Sequence, residues 1–289
     1  MPHDYDLLGG VVGIGVYALE RGEAGRPIAL AVLDALEQRA RPRAGGVMWH
    51  TAPELLPPWQ RELAPDGYWN LGLAHGNPGV IALLARFVSW DIAGERARAL
   101  LEPALTALLA SAPARDGGRF ASWQIGDPGE PATDDERERL AWCYGDLGVA
   151  LALAAAALAT GDARWDIEAR TVARSCAART FDAARVDDAA ICHGAAGVAH
   201  LLGRLGQALG DRELLAAARR WLDRALAMRV DHPLAGFPSR ALVDGISQWV
   251  ADPTILTGAA GVALVLCSMI SGTEPAWDRL LLADLPPVD

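Results

Sequence analysis

Apolar residues recur along this chain at helical spacing rather than in alternation. The stretches Pro27–Arg39, Val80–Val88, Arg96–Ala110, Val149–Ala159, Ala163–Arg179, Val198–Ala208, Glu213–Met228 and Val262–Met269 show it most clearly. That period places one buried face on a helix. Ala, Leu and Arg dominate these stretches, and all three are good helix formers. No turn of the Asn-Gly type is read between two alternating runs, so the pattern predicts an all-α fold.

A punctuation repeats within this pattern. Leu8-Gly9-Gly10-Val11-Val12-Gly13-Ile14 is its first instance and Ala74-His75-Gly76-Asn77-Pro78-Gly79-Val80 its second. Trp142-Cys143-Tyr144-Gly145-Asp146-Leu147-Gly148-Val149 follows, then Ile191-Cys192-His193-Gly194-Ala195-Ala196-Gly197-Val198 and Leu256-Thr257-Gly258-Ala259-Ala260-Gly261-Val262. The first glycines lie 66, 69, 49 and 64 residues apart, an interval that fits one helix out, one helix back and a loop. Five such loops at the starts of five helices should gather at one end of the assembly. The residues just before the first glycines (Gly9, His75, Tyr144, His193 and Thr257) then face a common centre, with Cys143 and Cys192 one step earlier.

Composition narrows the function. The 289 residues are 52% apolar, yet no window approaches the eighteen or so uninterrupted apolar positions of a membrane span. The N-terminus has neither a basic nor an apolar signal region, and the expectation is a cytoplasmic protein without a transmembrane segment. A net charge of −10 argues against a nucleic-acid partner, because phosphate binding needs a basic face. All 26 basic residues are Arg, which carries no functional reading.

Four cysteines are present, and an intracellular chain of this length needs no disulfides. Cys143, Cys192 and His193 stand out as ligands. Two thiolates and an imidazole are a preferred set for Zn²⁺, and three protein ligands leave a fourth position for a reactant. Adjacent residues within a helix point about 100° apart, but Cys192 and His193 precede a glycine in a loop and could share a metal. Cys143 occupies the corresponding loop one repeat earlier. Cys176 and Cys267 read as core or passive surface residues; His3, His50, His200 and His232 have no comparable setting.

Leu73-Ala74-His75-Gly76-Asn77-Pro78-Gly79, Trp142-Cys143-Tyr144-Gly145 and Cys192-His193-Gly194-Ala195-Ala196-Gly197 resemble the hallmark motifs of the lanthionine synthetase C-like family. Asp4-Tyr5-Asp6-Leu7-Leu8-Gly9-Gly10 resembles its earlier Asp-containing motif, and the ending from Asp252 to Leu282 also fits. The resemblance implies a single domain over residues 1–289, an α/α toroid of inner and outer helices with zinc at the mouth of its central cavity. By motif, the ligands are Cys143, Cys192 and His193, and the acid–base histidine is His75. Arg139 and Tyr144 are its supporting polar residues. The early aspartate is Asp4 or Asp6, with Asp6 favoured because it directly precedes the Leu-Leu-Gly-Gly stretch. Arg139 closes the run Asp134-Asp135-Glu136-Arg137-Glu138-Arg139, a pattern that otherwise reads as a solvated face.

Full-length members have seven inner helices. This chain shows five motifs, so the toroid is expected to be incomplete, about five of seven hairpins, with apolar flanks exposed on the first and last inner helices. The activity implied is zinc-dependent peptide cyclisation: a substrate Cys thiolate adds to dehydroalanine or dehydrobutyrine in a dehydrated precursor peptide. A dehydratase, or a second chain completing the toroid, is an expected partner. Two alternatives stand beside it: glutathione addition to dehydroamino acids, and a non-catalytic zinc-stabilised peptide-binding scaffold.

Overall fold

The computed structural model describes residues 4–112, 119–126 and 139–287; of the acidic run before Cys143, only Arg139 falls among them. The helices are α1 (Val11–Glu20), α2 (Arg26–Arg39), α3 (Pro58–Leu63), α4 (Asn77–Ser89), α5 (Gly94–Ala110), α6 (Asp146–Thr160), α7 (Ala163–Ala178), α8 (Phe181–Ala184), α9 (Ala195–Ala208), α10 (Arg212–Ala227) and α11 (Ala259–Ser271). Five of them, α1, α4, α6, α9 and α11, start at the predicted motifs, each with the first glycine as its N-cap residue. These inner helices pack on one another in chain order. The outer helices α2, α5, α7 and α10 each return along the inner helix before them. The fold is a mostly helical α/α toroid.

The second glycine of each motif has a shared packing reason. A Cβ at Gly13, Gly79, Gly148, Gly197 or Gly261 would strike the carbonyl of the residue six positions earlier. The loop therefore lies directly over the first helical turn, a contact only a residue without a side chain allows. Two of the outer helices, α7 and α10, begin differently. The side chains of Asp162 and Asp211 accept from backbone N–H groups in the first turns of α7 and α10, the ordinary N-cap arrangement.

Burial along the inner helices is uneven. In α6 every residue from Asp146 to Ala157 is buried, because helices flank it on all sides. Each fully buried Leu or Val there contributes about 1.5–3 kcal/mol. In α11 only Gly261, Val262 and Val265 are buried, and Ile270 is 85% exposed. The expected fifth hairpin is thus an inner helix without a returning partner. The chain turns instead through a 3-10 segment at Ala276–Leu281. The expected flank on α1 is slighter, with Tyr17 its exposed apolar residue.

The C-terminal segment is pinned to the inner helices. The buried Asp278 is ion-paired with Arg204, its Oδ2 3.1 Å from Nε, and lies 3.0 Å from His200 Nε2. Arg204 also reaches Glu274, and Arg86 of α4 pairs with Asp284. The Trp142 indole N–H donates to the Leu281 carbonyl at 2.8 Å. His200, which the sequence left without a role, is part of this anchorage.

Three two-stranded antiparallel sheets supplement the helices among the described residues: the hairpins β1 (Arg41–Arg43) with β2 (Gly46–Met48) and β5 (Ser239–Val243) with β6 (Ile246–Val250), and the long-range pair β3 (Trp69–Asn70) with β4 (Trp123–Gln124). The helical framework stands as expected, but the last hairpin corrects the absence of Asn-Gly-type turns. Asp244 and Gly245 join β5 to β6 with φ of 52° and 78°, the positive pair a two-residue hairpin turn requires.

Candidate metal centre

The five motif loops are stitched together by backbone hydrogen bonds. Leu7 N donates to Ala74 O (3.0 Å), Ala74 N to Cys143 O (3.3 Å), Trp142 N to Cys192 O (2.8 Å) and Cys192 N to Leu256 O (2.8 Å). This seam runs loop by loop in chain order. It brings residues from distant repeats to one end of the inner helices, as the repeat predicted.

Cys143, Cys192 and His193 meet there. One ligand atom from each lies within 4.8 Å of the other two, with Cys143 buried and the other two half-buried. The donor set suits a zinc ion: two soft thiolates and one imidazole from three neighbouring side chains. The Cys143 thiol is pulled down to about 5, first by the hydrogen bond from Cys192, then, against burial, by His193 and the Arg139 charge. Cys192, the donor of that bond and largely shielded from water, is pushed up. Asp188 stands behind the cluster, its Oδ2 3.9 Å from His193 Nε2.

His75 sits beside this group without joining it. Its Nδ1 hydrogen-bonds Asp6 Oδ2 at 2.9 Å, which leaves Nε2 free of the carboxylate. That bond is the leading cause of a raised imidazole pKa; burial opposes it, and the charges of Asp6 and Cys143 add to it. For Asp6, burial works against ionisation. The His75 hydrogen bond and the N–H of Gly9, at 2.6 Å from Oδ1, nonetheless carry its carboxyl below the ordinary value. Between the two candidate aspartates the geometry is decisive: Asp6 reaches His75, while Asp4 Oδ1 accepts from the N–H groups of Tyr5 and Asp6. The Tyr144 ring lies 5.9 Å from that of His75, its hydroxyl 3.4 Å from Asn70 Nδ2. Burial pushes the Tyr144 hydroxyl pKa up, so it stays protonated. Arg139 is exposed at the rim, near enough for its charge to act on Cys143.

A second regularity, absent from the sequence reading, lies six residues before the first glycines. Asp4, Asn70, Asp188 and Asp252 hold that position, and the Oδ1 of each accepts from the N–H two residues on, at 3.2, 2.9, 3.0 and 2.7 Å. These are Asx turns that shape the loop. In the third repeat the position is Arg139, and there the loop differs: Gly145 alone of the five N-cap glycines has positive φ, +87°. A turn-forming residue has been exchanged for a cation in the loop that carries Cys143. The fixed interval to the glycine was the available signal.

Helices paired as inner and outer layers, with a Cys₂His group at the mouth, define an α/α toroid carrying a candidate metal centre. The chain belongs to the lanthionine synthetase C-like family, whose model matches residues 1–282. No curated protein matches it. Among solved structures it is similar to nisin cyclase, with a TM-score of 0.79 and 20% identity over 98% of this chain and 67% of that one. It is also similar to a D-mannose isomerase, with a TM-score of 0.58 and 14% identity over 97% of this chain and 75% of that one. At these identities the likenesses speak to the fold. No described helix is long and apolar enough to cross a membrane.

Proposed function

We propose that this chain is a zinc-dependent cyclase that forms lanthionine-type thioethers in a dehydrated precursor peptide. The observation that carries the reading is the convergence of Cys143, Cys192 and His193, the three candidate ligands grouped among the described residues, beside an independently paired His75–Asp6 couple. Family membership and the likeness to nisin cyclase support it.

A free cysteine titrates near 8.5 and is mostly protonated at neutral pH. Zinc bound at Cys143, Cys192 and His193 would lower that value for a substrate thiol and leave it ionised. The substrate sulfur then attacks the β-carbon of the dehydroamino acid, and the electron pair of the double bond moves into an enolate. His75 delivers a proton from Nε2 to the α-carbon, which completes addition of S–H across the double bond. Asp6, on Nδ1, fixes the ring and favours its charged form. Arg139 stabilises the enolate oxygen, and Tyr144, protonated and held by Asn70, offers a second donor.

The test is incubation of zinc-loaded protein with dehydrated precursor peptide, followed by thiol counting and mass spectrometry. Thiols should disappear with no change in peptide mass. A mass gain of one glutathione in its presence, without ring formation, would instead assign glutathione addition. Zinc retention with every thiol left free would leave the scaffold reading.

A further inference from the structure

Beside the acid–base pair lies a row of aromatic rings of which the chemistry above uses only Tyr144. From His75 the contacts run to Tyr144 (5.9 Å between centroids), from Tyr144 to Trp123 (6.4 Å, edge to face), and from Trp123 to Trp59 (6.4 Å, 63°). Tyr68 stacks on Trp123 at 5.5 Å and 16°, and the β3–β4 pair brings those two residues together. A small core of Leu56, Ala64 and Tyr68 supports the set from below. The Tyr68 hydroxyl donates to Gln60, and Arg61 ties α3 down by donating to the Pro53 and Leu56 carbonyls.

The outer end of this row is wet. Trp59 is 56% exposed, and Leu63, one helical turn on, is 61% exposed. Neither stabilises the lobe through its own burial, and both cost solubility. An indole held by ring contacts and more than half exposed suits an incoming apolar group.

We infer that Trp59, Trp123 and Leu63 form a specificity shelf for an apolar or aromatic side chain of the peptide substrate, close to its reacting residue. The occupant follows from continuity: the row begins at the proton donor and ends at solvent, so a peptide with its reacting atoms at His75 lays a neighbouring side chain along it. The inference rests on the cyclase reading and adds a substrate preference to it.

The experiment compares two dehydrated peptides that differ only beside the reacting cysteine, one with Leu there and one with Gly. Wild-type protein should favour the Leu peptide in kcat/KM. In Trp59→Ala that preference should fall roughly tenfold, the change lying in KM, and Trp59→Phe should restore most of it. Zinc content, measured alongside, should not move. Binding of a Cys→Ser version of the Leu peptide, followed by indole fluorescence, reads the shelf without any turnover. If no peptide is cyclised but this binding still weakens in Trp59→Ala, the shelf stands and the cyclase reading fails. Equal kcat/KM for the two wild-type peptides, or a preference untouched by both Trp59→Ala and Leu63→Ser, would overturn the shelf. A concentration-dependent dimer abolished by Trp59→Ala, with the preference intact, would overturn it in favour of a second copy.

Discussion

His75 and His193 hold the same place in two repeats, each directly before the glycine that starts an inner helix. Each also has an aspartate nearby. His75 is hydrogen-bonded to Asp6 at 2.9 Å, whereas His193 stands 3.9 Å from Asp188, beyond hydrogen-bond range. Asp188 is occupied elsewhere, accepting from the N–H of Ala190. One step earlier in sequence, Ala74 is buried and inert where Cys192 offers a thiol. On the proposed reading one scaffold position serves two chemistries, and its immediate neighbours decide which. An imidazole satisfied by a carboxylate keeps a proton; an imidazole left among thiols is available to a metal.

The largest effect should come from removing the neighbour that makes the difference. Cys192→Ala leaves His193 in place but takes away one thiolate, so zinc content should fall from about one per chain to near none, and thioether formation with it. Metal analysis after dialysis reads this directly. A variant that kept its zinc would mean that the two loops are not distinguished as argued.

His75→Asn comes next. It should keep its zinc and lose roughly 10²–10⁴-fold in the rate of thioether formation, the usual span for a general acid–base group. Zinc loss in this variant would make His75 a fourth ligand and erase the contrast. Full retention of rate would move the proton donor elsewhere, with Tyr144 the nearest hydroxyl.

Asp188→Asn tests the other half. Asparagine keeps the Oδ1 acceptor that forms the Asx turn, so the loop should hold, while the charge behind His193 is lost together with the long 3.4 Å bond that Oδ2 accepts from the Arg240 N–H. Zinc affinity, measured by competition with a chelator, should weaken about 10–100-fold, as for other carboxylates behind a metal-bound imidazole. An unchanged affinity would make Asp188 a loop residue and nothing more.

Much of this was legible in the sequence because its causes are local. Helical periodicity and the steric demand for glycine over a loop carbonyl are written within a few residues, and the inner helices start at the predicted glycines. The candidate ligand trio was legible as a cluster because Cys and His fell in equivalent loops. The β5–β6 hairpin was missed because its strands do not alternate cleanly: Leu242 and Ile246 are exposed, so no buried face imposed a period of two. The Asx position escaped because four repeats fill it with Asp or Asn and the third with Arg139. The aromatic row was beyond reach, since Tyr68 and Trp123 meet only through a two-residue strand pair. The unequal fates of α6 and α11, both strongly apolar, were legible only as a missing partner, because burial belongs to the neighbours rather than to the helix.

The smallest effect, and the sharpest, lies in the pH dependence of Asp6→Asn. In the wild type the Asp6 carboxylate raises the His75 pKa, so the imidazole stays protonated above its ordinary value of about 6.5. The contribution of His75 to stability is fully present below that ordinary value and is lost as pH rises through the raised folded-state pKa. Asp6 behaves in the opposite sense: its contribution is present above the ordinary carboxyl value and is lost as pH falls through its lowered folded-state pKa. The pair is therefore strongest between the two, and a proton donor loses rate on the alkaline side. Asn in place of Asp6 removes the charge, so the alkaline limb of the rate profile should move down toward the ordinary imidazole value. At about pH 8 this costs roughly tenfold for each unit the pKa falls, and below about pH 6 the rate should be little changed by titration. At each pH the zinc content of the variant should match that of the wild type, because His193 has no share in the pair. A limb that stayed where it was, with the rate lowered evenly at all pH, would mean that Asp6 only aims the ring, and that the charge difference between the two histidines is not what separates their roles.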